Sequence, residues 1–410
     1  MTQEIRNPLD ESIVPFTGIT AVACQDYAGA FSCGARQEGF SIIAKLEQAD
    51  NFGMAAWLHN SDWLGTSDLY YEAGTDRWEV EKADVVFGNP PCSGFSNLTR
   101  AEKWVEGGLH GVEAKQNQCM HDLVGYGGKI GASVIVFESV SHAATTGLPL
   151  MQMLHDNLEK QTGDKWFLTL VKMNALSVGG WPDRKRFFFV ASRLGPISMP
   201  AATGLAHPLS TAIGDLVDTV DDTPYTPNSL SVSLKAKRNA ELADSGYWAQ
   251  GMASSEAFEI AAANGWDGTP PDRSDMIKNP FTAWRWRWDK PARVATGAVL
   301  DSVVHPIRPR TFTHAEVARI MGFPSQYDIS GITKLKGGGK PLYGKGIPAQ
   351  AGRWVMEGVR QHMMNEDDPE TDELPVELPH IGERRYQINV EGKFRSNPRP
   401  EQIDIFAEIA

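Results

Sequence analysis

Ala83-Asp84-Val85-Val86-Phe87-Gly88-Asn89-Pro90-Pro91-Cys92-Ser93-Gly94-Phe95-Ser96 is a short apolar run that stops at two prolines and a cysteine. Ala83 to Phe87 carries β-branched valines and is bounded by turn formers, the pattern of a short buried strand. Proline fixes φ and offers no amide donor, so the two prolines end that strand. Cys92 is therefore expected at the tip of a sheet, where a substrate can meet it. A lone cysteine beside a turn is ordinarily buried and inert, so the rest of the chain has to decide between the two readings.

Outward from this stretch, apolar runs of strand length alternate with helical stretches from Val14 to about Ser192. Thr20 to Cys24, Ser41 to Leu46, Asp84 to Phe87, Ser133 to Phe137, Trp166 to Met173 and Arg186 to Ala191 are the expected strands. Such alternation implies an α/β fold with a mostly parallel sheet. From Gly195 to about Arg308 the chain turns rich in Pro, Ser, Thr and Ala and loses its periodicity, which suggests a second, smaller and irregular domain. Thr313 to Met321 and Ala349 to Met363 read as helices. Pro369 to Ala410 is Pro-rich and charged and reads as an extended tail.

The chain has 410 residues, enough for one large domain and a smaller one. It contains no apolar run of about 18 residues, so no membrane span is expected. Met1 to Asp10 is polar and does not resemble a signal peptide. Cys24, Cys33, Cys92 and Cys119 have neither metal-ligand spacing nor the density of a disulfide framework, and no metal is expected. A reducing cytoplasmic setting suits a working thiolate. The net charge of −12 averages over patches. Acid gathers at Glu366 to Asp368 and Asp372-Glu373, and base at Arg184-Lys185-Arg186, Lys235 to Arg238, Arg285 to Arg293 and Lys334 to Lys345.

The stretch around Cys92 resembles the catalytic loop of the DNA cytosine-5 methyltransferases, and the likeness runs in order from about Ala21 to Met363. It implies a Rossmann-like S-adenosylmethionine-dependent domain over 14–194, completed by 341–363, a target-recognition domain over 195–340, and an acidic tail over 364–410. Cys92 would be the nucleophile toward cytosine C6. Glu138, in Val134-Ile135-Val136-Phe137-Glu138-Ser139-Val140, resembles the acid that serves cytosine N3, with Ser139 where the family has Asn. Arg184 and Arg186, in Trp181-Pro182-Asp183-Arg184-Lys185-Arg186, resemble the family's arginine pair. Arg186 would contact the base, and Arg184 would orient that array or a phosphate. Pro182 replaces the family's Gln, while Asn174-Ala175 fits its pattern. The block from Arg310 to Tyr327 resembles the segment that organises the small domain, with Glu316 and Arg319 as internal contacts.

The donor site departs more. Asp26-Tyr27-Ala28-Gly29-Ala30-Phe31 resembles the glycine-rich donor loop but is two residues shorter than the usual pattern. Tyr27, Ala28, Gly29, Ala30, Phe31 and Pro90 would line the donor, Glu47 would meet its ribose, and Asp84 is a candidate contact. Gly344-Lys345-Gly346-Ile347-Pro348 resembles the segment that returns to the donor pocket, with Lys345 in place of Asn. A cation near the donor's sulfonium is unfavourable, and a carboxylate on the transferred group would reverse the sign. The donor is thus S-adenosylmethionine or, with Lys345 engaged, carboxy-S-adenosylmethionine, the product then being 5-carboxymethylcytosine.

The stretch from Asn97 to Lys129 lacks the family's Asp-x-Arg and is expected to be a mobile loop over DNA, with Ser96 at the DNA. Trp284-Arg285-Trp286-Arg287-Trp288, as a strand, would show a tryptophan face and an arginine face, and Arg285 and Arg287 would reach phosphates. Double-stranded DNA is the expected partner of a monomer. A catalytically silent DNA-binding homologue and an RNA substrate are the competing readings.

Overall fold

The computed structural model describes residues 9–47, 52–66, 70–72, 80–95, 111–218, 254–265, 286–293, 303, 305–306, 312–329, 332, 342–366, 373–378, 381–392 and 394–395. The strands are β1 (Thr20–Cys24), β2 (Ser41–Glu47), β3 (Tyr70–Glu72), β4 (Val85–Gly88), β5 (Val134–Val140), β6 (Phe167–Asn174), β7 (Lys185–Ser192), β8 (Gly204–Leu205), β9 (Val376–Glu377), β10 (Arg385–Asn389) and β11 (Phe394–Arg395). The helices used below are α1 (Ala30–Gln37), α2 (Phe52–His59), α3 (Ser61–Leu64), α4 (Gln118–Lys129), α5 (Leu148–Thr162), α6 (Leu209–Ile213), α7 (Ser254–Ala263), α8 (His314–Ile320) and α9 (Ala349–Met364).

Nine strands form the main sheet in the order β3-β2-β1-β4-β5-β7-β6-β10-β9. The first five in that order are parallel neighbours. β7 runs antiparallel to both β5 and β6. The expected α/β fold with a mostly parallel sheet is present, with β7 and β9 running against the other strands. In an open α/β sheet the ligand site lies beyond the carboxyl ends of the strands. The ends of β1, β2, β4 and β5 therefore share one rim, and the reversed β7 brings its first residues to that rim.

Alternation along each strand splits the core into two layers. Ala21, Ala23, Val85, Phe87, Val134, Val136, Phe188 and Val190 face one layer, with Phe31 of α1 and Val355 and Val359 of α9. Val22, Cys24, Val86, Ile135, Phe137, Phe187 and Phe189 face the other, with Leu123 of α4 and Leu150, Leu154 and Leu158 of α5. Phe137 and Phe189 stack across the β5–β7 pair with ring centroids 4.7 Å apart. Each fully buried side chain of this size contributes roughly 1.5–3 kcal/mol.

α1 and α9 cross closely because Gly34 has no side chain. A Cβ there would stand 2.3 Å from the Arg353 backbone nitrogen. At the same crossing the buried Glu38 carboxylate binds Arg353 Nε at 2.8 Å and Arg360 Nε at 3.3 Å. Thr313 caps α8 in a reciprocal capping box with Glu316. Glu316 also meets His305 at 3.3 Å, and Arg319 meets Asp215, so both are internal contacts as expected.

Several expectations need correction. The span 364–410 is not simply an extended tail, because β10 adds in parallel to β6 and β9 pairs with β10. Arg384 and Arg385 anchor it by binding Glu159 and Asp156 of α5. The stretch from Gln118 to Lys129 is the regular helix α4, not a mobile loop. Trp286 to Lys290 is a turn rather than a strand. Finally, the core does not break at Gly195. Ile197, Met199 and Leu209 share a buried cluster with β1 and α9.

Candidate active site

Cys92 lies beyond the end of β4, half-buried, with its carbonyl accepting from Phe95 N at 3.0 Å. Glu138 sits near the end of β5 and is buried. Antiparallel register sets Val140 opposite Arg186. Residues two apart share a sheet face, so Arg186 and Glu138 meet diagonally across the strand pair. Arg186 Nε stands 2.5 Å from Glu138 Oε1. Burial pushes the Glu138 carboxyl up, and the charges of Arg186 and Arg184 oppose that rise. Cys92 is pushed up to about 11 by burial and then by the Glu138 charge, with the two arginines opposing. The four side chains thus form one electrostatic unit.

Arg184 is buried just before β7. Its backbone N–H donates to Asn174 Oδ1 at 3.1 Å, and the same oxygen accepts from Leu176 N. Asn174 Nδ2 donates to Asp183 Oδ1 at 2.8 Å, so this asparagine fixes the entry into β7. The Arg184 guanidinium does not run to the surface. Its Nη2 donates to the carbonyls of Gly344 at 2.8 Å and Gly346 at 2.6 Å.

The loop between β1 and α1 forms the second half of the site. Gly29, left-handed at φ 89°, opens α1. The Asp26 carboxylate accepts from Phe31 N and Ser32 N at 3.1 and 2.7 Å, satisfying two free amides of the first turn. Glu47, at the end of β2, accepts from Tyr27 N at 2.9 Å and pairs with the buried Lys45 at 3.6 Å. Burial pushes both Asp26 and Glu47 up, with Lys45 opposing in each case.

The Asp26 and Glu47 carboxylates, with Lys45 beside Glu47, line the turn that opens α1. A tight αL turn opening a helix, with an acid at the end of the next strand, is the arrangement a nucleoside donor uses. The residues present fit the group. Lys345 also arrives here: its Nζ donates to Tyr27 Oη at 3.0 Å and lies 5.2 Å from the ring centroid. Ala28, Ala30 and Phe31 are buried around the same turn, and Pro90 is buried beside β4.

Asp84 does not join this group. Its carboxylate accepts from Thr20 N and Thr20 Oγ1 at 2.8 and 2.7 Å, at the amino-terminal starts of β1 and β4. That is the opposite rim from the site, so Asp84 ties two strand starts together. Arg287 is exposed and paired with Asp289 at 2.9 Å. Ser96 and Arg285 lie outside the described residues.

Tyr327 was not expected at the donor loop. The block from 310 to 327 reaches the catalytic core, and a Cβ on Gly29 would stand 1.9 Å from the Tyr327 hydroxyl. Nothing in the sequence signals this contact, which joins residues far apart in the chain. Lys45 was also missed, although its position two residues before Glu47 on a strand is a readable cue.

Residues 22–359 match the family model of the C-5 cytosine-specific DNA methylases. The chain belongs to this family. It is a transferase of the methyltransferase class. It is 28% identical over 383 residues to the type II methyltransferase M.XorII of Xanthomonas oryzae pv. oryzae, covering 82% of this chain and 84% of that protein. Against the type II methyltransferase M1.BsuMI of Bacillus subtilis it is 22% identical over 333 residues, covering 78% of this chain and 71% of the relative.

Its fold is also that of a solved prophage-encoded E. coli protein assigned as a DNA modification methyltransferase. The TM-score is 0.53 at 15% identity, over 84% of this chain and 99% of that one. Among the described residues, no helix is long and apolar enough to cross a membrane.

Proposed function

We propose that this family member transfers a carbon group to C5 of a cytosine rotated out of duplex DNA, through a covalent bond from Cys92 to C6. The observation that carries the reading is the placement at one rim of the sheet of Cys92 beyond β4, Glu138 near the end of β5, and Arg186 at the start of β7 with its Nε 2.5 Å from Glu138. A stacked base hides C6, so the nucleotide must leave the helix.

Cys92 Sγ gives its proton to solvent water and bonds to C6. Charge moves through the ring to N3, where Glu138 delivers its proton. Burial favours the protonated carboxyl, with Arg186 and Arg184 opposing, and Arg186 holds the carboxyl in place and stabilises it once ionised. C5 becomes an enamine carbon and takes the group. A base then removes the C5 proton, the C6–S bond breaks, and N3 returns its proton to Glu138. Asp26, Tyr27, Gly29 and Glu47 would hold the donor, which when bound would supply the electrophilic carbon and leave as the thioether. Ser96, Arg285 and Arg287 are the proposed DNA contacts.

DNA carrying 5-fluorocytosine tests this reading. Fluorine at C5 blocks the final elimination, so a covalent complex accumulates when donor is present. Loss of the complex in Cys92→Ser supports the reading. A wild-type protein that gives no adduct is instead the silent DNA-binding homologue.

A second reading, in which the transferred group carries a carboxylate, is favoured by Lys345 at Tyr27. A second cation about 5 Å from a sulfonium costs roughly 3 kcal/mol at an effective dielectric of about 20, and a carboxylate offsets it. Competition between S-adenosylmethionine and its carboxy form decides it, with nucleoside mass spectrometry as the readout. If the plain donor is used faster and Lys345→Asn leaves that order unchanged, the second reading fails.

A further inference from the structure

We propose that Arg184 is a positioning residue that couples the cytosine pocket to the donor pocket, making occupancy of each favour the other. The inference rests on the function proposed above for the two halves of the site. Arg184 stands two residues before Arg186, whose Nε meets Glu138 at 2.5 Å, and after burial the charges of Arg186, Glu138 and Cys92 act on its guanidinium. Its Nη2 holds the carbonyls of Gly344 and Gly346, the residues flanking Lys345.

That segment meets the donor loop where Lys345 Nζ donates to Tyr27 Oη at 3.0 Å. Gly346 lies close by Asn89, since a Cβ there would stand 3.5 Å from Asn89 Nδ2. Asn89 leads directly into Pro90, Pro91 and Cys92. The buried Nη2, donating to both carbonyls at once from a rigid planar group, holds Gly344 and Gly346 in one arrangement. Burial disfavours the Arg184 charge, and the negative charge that develops on Glu138 as it gives up its proton favours it. The base pocket and the Lys345 segment are therefore tied to the same guanidinium.

This differs from a contact to substrate. Arg184 acts through the 344–346 backbone, so its loss should change how one ligand alters the affinity of the other. Such coupling is reciprocal: the factor by which DNA tightens the donor equals the factor by which the donor tightens DNA.

The experiment measures binding of S-adenosylhomocysteine with and without poly(dI·dC) duplex, and the reverse, for the full chain and for Arg184→Lys and Arg184→Ala. Hydrogen exchange of the 343–347 amides is followed in the same proteins. In the unsubstituted protein the duplex should tighten S-adenosylhomocysteine at least fivefold, with the same factor in reverse. In Arg184→Lys both factors should fall together to below twofold, and the 343–347 amides should exchange at least tenfold faster while those of β5 are unchanged.

A uniform loss of stability would instead speed exchange in β5 as well and leave the factors intact, and that outcome overturns the proposal. So does an Arg184→Lys protein with unchanged factors. Should Arg184→Ala fail to fold, Arg184→Lys decides alone. If the unsubstituted protein binds neither ligand, or forms no adduct on 5-fluorocytosine DNA, the failure lies with the proposed function. If it binds both without mutual tightening, the coupling itself is refuted.

Discussion

Cys92 is a thiol at neutral pH, because burial and the Glu138 carboxylate push its pKa to about 11 from an ordinary value of 9.0. At pH 8 that leaves roughly one thiolate in a thousand, against about one in ten for the ordinary thiol, a hundredfold deficit. A more basic thiolate is also a better nucleophile, with a Brønsted slope of about 0.4–0.5, which returns roughly tenfold. The expected rate of modification by a small uncharged thiosulfonate at pH 8 is thus about tenfold below that of an unperturbed cysteine. It should climb about tenfold per pH unit until the pH nears 11.

Mass spectrometry that resolves Cys92 from Cys24, Cys33 and Cys119 reads the rate in the DNA-free protein. Glu138→Gln removes the neighbouring negative charge, so it should lower the Cys92 pKa and speed the reaction at fixed pH. Arg186→Ala removes an opposing positive charge and should slow it. A rate that levels off below about pH 9.5, or a Glu138→Gln protein no faster than its parent, would refute the electrostatic account of the pocket.

Three further outcomes follow from the geometry. Gly29→Ala forces a left-handed alanine, at a cost of roughly 1–2 kcal/mol, and sets its Cβ 1.9 Å from the Tyr327 hydroxyl. Urea unfolding and S-adenosylhomocysteine binding should both weaken, and adding Tyr327→Phe should recover part of the loss; no recovery would mean that the hydroxyl is not the obstacle. Asp84→Ala strips the Thr20 amide of its acceptor and should cost about 1–3 kcal/mol of stability with donor-analogue affinity unchanged, whereas a selective loss of affinity would return Asp84 to the donor site. Arg287→Ala should lower the slope of log affinity for DNA against log salt by about one, and an unchanged slope removes Arg287 from the interface.

The parts of the fold written in local pattern were legible in the sequence. β1 is bounded where its apolar run is bounded, and the Thr313 cap with Glu316 marks the start of α8. Cys92, Glu138, Lys345 and the arginine pair were found by motif, and the structure brings them to one rim. What escaped were contacts between distant segments. β10 alternates too weakly, over a charged and Pro-rich stretch, to announce itself, and its place is set by Arg384 and Arg385 meeting acids on α5. The reversal of β7 is likewise a tertiary fact, since a parallel and an antiparallel strand can carry the same apolar alternation. The carbonyls that Arg184 finds, those of Gly344 and Gly346, were not legible, because a motif records residue type and spacing and not the partners of a buried guanidinium. Asp84 shows the converse. A carboxylate at a strand start can lie near a donor loop in sequence order and still sit on the far rim.

The docking of β10 bears on how the molecule assembles. Arg384 meets Glu159 across 225 positions of sequence, so the outer edge of β6 stays unpaired until the chain through β10 has been made. An unpaired strand edge is a template for another chain, and contacts of such long range are slow to form. The catalytic rim, built from β1, β2, β4, β5 and β7, can therefore be laid down while the opposite flank of the sheet is still open. The expression yield of this protein should depend on how quickly β10 closes that edge, and not only on how well the finished core is packed.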